Sequence, residues 1–226
     1  MTPDQKQIRW LKAGLFILAL LPFLRLLAYA LMEKLGANPL EFITRNTGDW
    51  ALYLLCITLA VTPLRRISGL AWLPRFRRML GLFAFFYASL HLLTFVWFDH
   101  FFDVPEIWKD VLKRPFITVG MSAFVLLLPL ALTSTDGMIR RLGGKRWRGL
   151  HRLVYVIAPL AVLHYCWMKA GKHDLLLPYS FALLVLVLLV MRLPWLAQYR
   201  HGGYPFRLLV MRLPWLAVRR RNMAGR

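Results

Sequence analysis

The sequence predicts an all-α protein: a six-helix transmembrane bundle with both termini cytoplasmic. Three observations predict it. Hydrophobic residues fill 59% of the 226 positions, where a soluble domain is nearer half apolar. They gather in repeated runs of roughly 15 to 20, close to the ~20 residues that carry a helix across ~30 Å of hydrocarbon. The basic residues behind a net charge of +20 crowd every second loop.

The runs are Ala13–Met32, Trp50–Leu64, Leu80–Phe98, Pro115–Thr133, Leu150–Met168 and Leu175–Met191. The first follows a basic start and contains "AYA" at Ala28–Ala30, two features shared with signal peptides. Its apolar stretch is too long for one and is broken by Arg25, so it reads as an uncleaved first helix. Arg25 lies toward the outer end, where it can snorkel or pair with a cofactor carboxylate. The second and fifth runs are short and extend into the interface. Residues 1–12 form a cytoplasmic N-terminus, 13–191 the membrane domain and 192–226 a basic cytoplasmic tail.

Orientation follows from the charges. The N-terminus, the loops after runs 2 and 4, and the tail hold 22 basic residues, among them Arg65, Arg66, Arg75, Arg77, Arg78 and the Arg140–Arg152 stretch. The loops after runs 1, 3 and 5 hold seven: Lys34, Arg45, Lys109, Lys113, Arg114, Lys169 and Lys172. The richer side is the cytoplasm. Such a charge would suit nucleic acid, but these residues stand where topology needs them, so no nucleic-acid partner is expected.

Cys56 and Cys166 lack metal-site spacing and read as small buried residues. In the tail "LLVMRLPWLA" occurs twice, at Leu188–Ala197 and Leu208–Ala217. The second copy is too short to cross and reads as an interfacial segment without chemistry of its own.

Of six histidines, His100, His173 and His201 fall in loops or tail and read as solvated. His91 and His164 fall within the third and fifth runs, about 16 and 21 Å from their cytoplasmic ends at 1.5 Å per residue. They therefore share a depth in the outer half. Two imidazoles at matched depth on two helices can take an iron porphyrin between them. A zinc site would want four ligands, Cys or carboxylate among them. The alternative is that both rings only hydrogen-bond across helices. His151 lies near the inner face, about 140° around an ideal helix from His164. It can ligate a second haem or stand unliganded at the interface.

Longer motifs carry a resemblance. "RRMLGLFAFFYASLHLLTF" (Arg77–Phe95), "RPFITVG" (Arg114–Gly120), "LALTSTDGMIRRLGGKRWRGLHRLVY" (Leu130–Tyr155) and "LHYCWMKAGK" (Leu163–Lys172) closely resemble the haem-binding membrane subunits of bacterial periplasmic methionine sulfoxide reductase systems. The likeness covers about residues 8 to 195 and extends to the wider ferric-reductase-like transmembrane family. It implies an inner-membrane electron-transfer subunit with haem b, one or two, on His91, His151 and His164, and with flavin mononucleotide. The implied partner is a periplasmic molybdenum-cofactor methionine sulfoxide reductase that repairs oxidised envelope proteins. The implied donor is a cytoplasmic flavin reductase or the quinone pool. Relatives with two histidines on each ligand helix set one thirteen or fourteen residues before the position of His91; here Arg78 and Arg77 stand there. About 35 residues follow run 6, too few for a flavin and nicotinamide domain, so a separate donor is expected. "LGGKRW" is no dinucleotide fingerprint, and no nucleophile or acid–base pair is visible, which places the sulfoxide chemistry on the partner. The rival readings are a stand-alone ferric or quinone reductase of the same fold, and a cofactor-free transporter or scaffold.

Overall fold

A computed structural model describes residues 3–170 and 175–192. The duplicated tail beyond Arg192, His173 and His201 lie outside the described residues. The described chain is helical throughout, with no strand.

Helix α1 spans Gln5–Leu31 and therefore begins inside the segment read as the N-terminus. Asp4 caps it: its carboxylate accepts from Gln5 N, while Gln7 Oε1 accepts from Asp4 N at 2.9 Å. Helix α2 spans Pro39–Ser68, capped by Asn38, whose side chain accepts from Glu41 N at 3.1 Å. It stops at Gly69, whose φ of 72° is a left-handed conformation that glycine adopts freely. This helix is far longer than the apolar run inside it. Glu41, Arg45 and Asp49, expected in an outer loop, stand on its first turns.

Helix α3 spans Pro74–Thr94 and continues as a π-helical turn, Phe95–Asp99. The loop expected next folds instead into a short amphipathic helix α4, Val104–Lys113, capped by Asp103. His100, expected to be solvated, is not. Its side chain is 9% exposed, its Nε2 lies 3.2 Å from Asp110 Oδ2, and its ring packs 4.6 Å from that of Phe95. Polarity in the sequence places a residue near water; it does not reveal that a neighbouring helix will fold back over it.

Helix α5 spans Pro115–Leu132. The cytoplasmic loop after it is helical too: α6, Asp136–Leu150, bends at Gly143, where φ is 74°. A 3₁₀ turn, His151–Leu153, leads into α7, Val154–Ala170. His151 therefore does not lie on the same regular helix as His164, and the 140° phase expected between them does not apply. Helix α8 spans Leu176–Val190, about 22 Å long and uniformly apolar.

Among the described residues, five stretches are long and apolar enough to cross a membrane, and α8 is a shorter apolar helix. Large apolar side chains on their outer faces, such as Leu18, Leu183 and Leu186, are exposed, as lipid solvation requires. Inside, α2 packs on α3 and α5 on α7. Leu59, Ala158 and Tyr87 are wholly buried, and the Phe85 and Phe124 rings stack at 5.6 Å between α3 and α5. The Tyr87 hydroxyl donates to Ala19 O at 2.8 Å and accepts from Phe23 N at 3.0 Å. An uninterrupted helix would pair those two groups of α1 with each other. Tyr87 reaches both groups, in the turn of α1 that also holds Pro22, and so ties α1 to α3.

Candidate functional site

The two helix pairs enclose a cavity of about 630 Å³, of a size that holds a cofactor. His91 of α3 and His164 of α7 both line it. Their ring centroids are 6.0 Å apart and their planes cross at 77°.

Each ring is fixed from behind by a helix it does not belong to. His91 Nδ1 lies 2.9 Å from the Thr44 carbonyl of α2, and His164 Nδ1 lies 2.6 Å from the Phe116 carbonyl of α5. A carbonyl only accepts, so both Nδ1 atoms carry the proton and both Nε2 atoms keep their lone pairs. This is the arrangement that raises an imidazole's basicity toward a metal and sets its orientation.

The same local pattern occurs on both supporting helices. The residue four positions on from each carbonyl is a glycine, Gly48 after Thr44 and Gly120 after Phe116. In a helix the residue at i+4 stands over the carbonyl of residue i. A Cβ on Gly48 would come within 3.1 Å of His91 Cε1 and Nδ1, and one on Gly120 within 2.7 Å of His164 Nδ1. The glycines therefore permit the close approach. Threonines tie α2 to α3 beside that ring: Thr44 Oγ1 donates to Thr94 Oγ1 at 3.0 Å, and Thr94 Oγ1 donates to His91 O at 2.7 Å. Sequence reading found the two histidines but neither glycine, neither carbonyl and neither threonine. Their signal is the G at i+4 on a partner helix, which means nothing until the partner is known.

His151 is not brought to this site. It does not line the cavity. Its Nδ1 lies 3.0 Å from Trp147 O, its Nε2 lies 3.4 Å from Ser134 Oγ, and its ring packs 3.9 Å from the Trp147 ring. Trp147 Nε1 in turn donates to Thr133 O at 2.9 Å. Arg25 is exposed and lies over the Tyr29 ring at 5.3 Å, outside the cavity lining, as a snorkelling side chain would. Cys56 and Cys166 are free thiols, the first buried.

The chemistry of the donors fits an iron porphyrin. Among the described residues no group of three or more His, Cys, Asp or Glu is placed to hold a bare ion. A porphyrin brings four equatorial nitrogens and needs only two axial ligands. Nitrogen–metal bonds of about 2 Å on opposite sides of a metal put two imidazole centroids about 6 Å apart, which is the separation found.

The fold and site thus define a class: a helical membrane bundle built around one imidazole from each of two spans. Residues 47–162 match the family described as ferric reductase like transmembrane component. Full-length likeness is narrower. A protein of Herminiimonas arsenicoxydans named protein-methionine-sulfoxide reductase heme-binding subunit MsrQ is 67% identical over 88% of this chain and 91% of its own. Proteins of the same name from Ralstonia nicotianae and Bordetella pertussis are 55% and 52% identical, over 84% and 80% of this chain and 88% of theirs. The chain belongs to the ferric-reductase-like transmembrane family and, within it, to the MsrQ subunits. No solved structure matches it.

Proposed function

We propose that this chain is the haem-binding electron-transfer subunit of a methionine sulfoxide reductase system, seated in the inner membrane with both termini cytoplasmic. His91 and His164 hold one haem b in the outer half of the bilayer through their Nε2 atoms. Bound there, the group supplies a one-electron couple. The protein's share is to hold both ligands in a single tautomer and to keep water out with an apolar surround, which tunes the potential. The single observation that carries this reading is the 6.0 Å separation of two rings whose Nδ1 atoms both face helix carbonyls.

Electrons arrive from the cytoplasmic side, from a flavin reductase or the quinone pool. They leave outward to a periplasmic molybdenum-cofactor enzyme that reduces methionine sulfoxide in oxidised envelope proteins. The curated relatives named for that system support the partner. Flavin mononucleotide belongs to the proposal through the family likeness, and its phosphate would suit the exposed cations Arg140, Arg141, Lys145, Arg146 and Arg148 of α6. A second haem on His151 would need a ligand from another element and the release of Ser134.

Purified protein should show a reduced-minus-oxidised b-type spectrum and a pyridine haemochrome. His91→Ala and His164→Ala should each abolish the bis-histidine low-spin signal, while His151→Ala should retain it. Retention of that signal in either of the first two variants would overturn the ligand assignment. Any haem that His151→Ala loses would be assigned to a second site at His151.

A further inference from the structure

The haem cavity is polar at one end only. Deep in it the lining is Leu55, Ala84, Leu127 and Ile157. At its outer mouth stand Arg45 of α2, Arg114 at the start of α5 and Lys169 of α7. Lys169 lies five residues beyond His164, about 7 Å along the helix, and is only 8% exposed. A porphyrin of haem b has one edge with two carboxylates and one apolar edge. Burying the carboxylates among leucines would strip two charges of water with nothing to replace it, so the two orientations are far from equivalent.

Resting on the haem reading above, we infer that haem sits with its propionates toward the outer mouth, received by Arg45, Arg114 and Lys169. The mouth also holds acids, and their positions matter. Glu41 pairs with Arg45 from one turn away. Asp110 Oδ1 takes Arg114 Nε at 2.9 Å and also faces His100 through Oδ2. Asp49 interacts electrostatically with Lys169 and Arg45, and Asp99 lines the mouth as well. The Asp110 contact uses one of five guanidinium donors, so Arg114 can be held by Asp110 and still bind a second carboxylate. The acids thus act as struts for the cations. This orientation puts the charged edge of the macrocycle nearest the outer surface, on the side from which an acceptor docks.

The test uses the full chain in detergent, freed of haem and titrated with haem b or with its dimethyl ester, whose two carboxylates are blocked. The wild type should bind the free acid about tenfold tighter or more, the worth of a charge-assisted contact. Arg45→Gln, Arg114→Gln and Lys169→Gln together should erase that preference while keeping the bis-histidine spectrum. Lys169→Gln alone should lower the midpoint potential at full haem content, because a cation that favours the reduced site is gone. The wild-type comparison requires no substitution and so survives a variant that fails to fold. Equal binding of acid and ester by the wild type, or tighter binding of the ester, would overturn the inference with the haem reading intact. Loss of the bis-histidine spectrum from the wild type would overturn the haem reading itself.

Discussion

Gly120 stands where any side chain would collide with the His164 ring, since its Cβ would lie 2.7 Å from His164 Nδ1. Gly48 is more forgiving, at 3.1 Å from His91. Gly120→Ala must therefore push the imidazole off the Phe116 carbonyl, whereas Gly48→Ala asks for a shift of a few tenths of an ångström. Gly120→Ala is expected to cost about 1–3 kcal/mol of stability by overpacking and to release most of the haem. Gly48→Ala should keep its haem with an altered potential. Haem content and a redox titration of both variants check this; equal haem content would show that the two cradles give way equally. The histidines were legible because an ionisable group inside an apolar run is costly and so conspicuous. The glycines were not. A glycine in a membrane helix is common, and only the ring of another helix makes Gly120 necessary.

Among the elements, α1 depends on a side chain that is not its own. Tyr87→Phe removes the hydroxyl that donates to Ala19 O and accepts from Phe23 N. The expected loss is about 1–3 kcal/mol, read as a lower Tm in detergent, with the haem spectrum kept because His91 lies a full turn further along α3. An unchanged Tm would show that these two hydrogen bonds do not hold α1 to α3. Among the described residues, the apolar runs coincide with the five stretches long and apolar enough to cross lipid and with the shorter helix α8, because crossing lipid is what an apolar run reports. They could not show α4 or α6, which are short and charged and whose helicity comes from caps at Asp103 and Thr135 and from packing at their ends. They also truncated α2, whose first turns carry Glu41, Arg45 and Asp49 because those face the polar mouth of the cavity rather than lipid.

Across the whole bundle the charges divide by end. Arg65 and Arg66 close α2, Arg75, Arg77 and Arg78 open α3, and Arg78 pairs with Asp136, which brings the basic helix α6 to the same end. The opposite end carries α4 and the polar mouth of the cavity. If the basic end is cytoplasmic, His91 and His164 lie toward the outer surface and the proposed electron path runs outward. Single cysteines decide it. Lys145→Cys on α6 should resist a membrane-impermeant thiol reagent in intact cells and react once the membrane is opened. Lys109→Cys on α4 should react at once, since Lys109 is exposed and only its contact with Glu106 is lost. Buried Cys56 and half-buried Cys166 set the background, which the unsubstituted chain measures. The reverse pattern would turn the bundle over, place the propionate mouth in the cytoplasm and reverse the direction of electron flow.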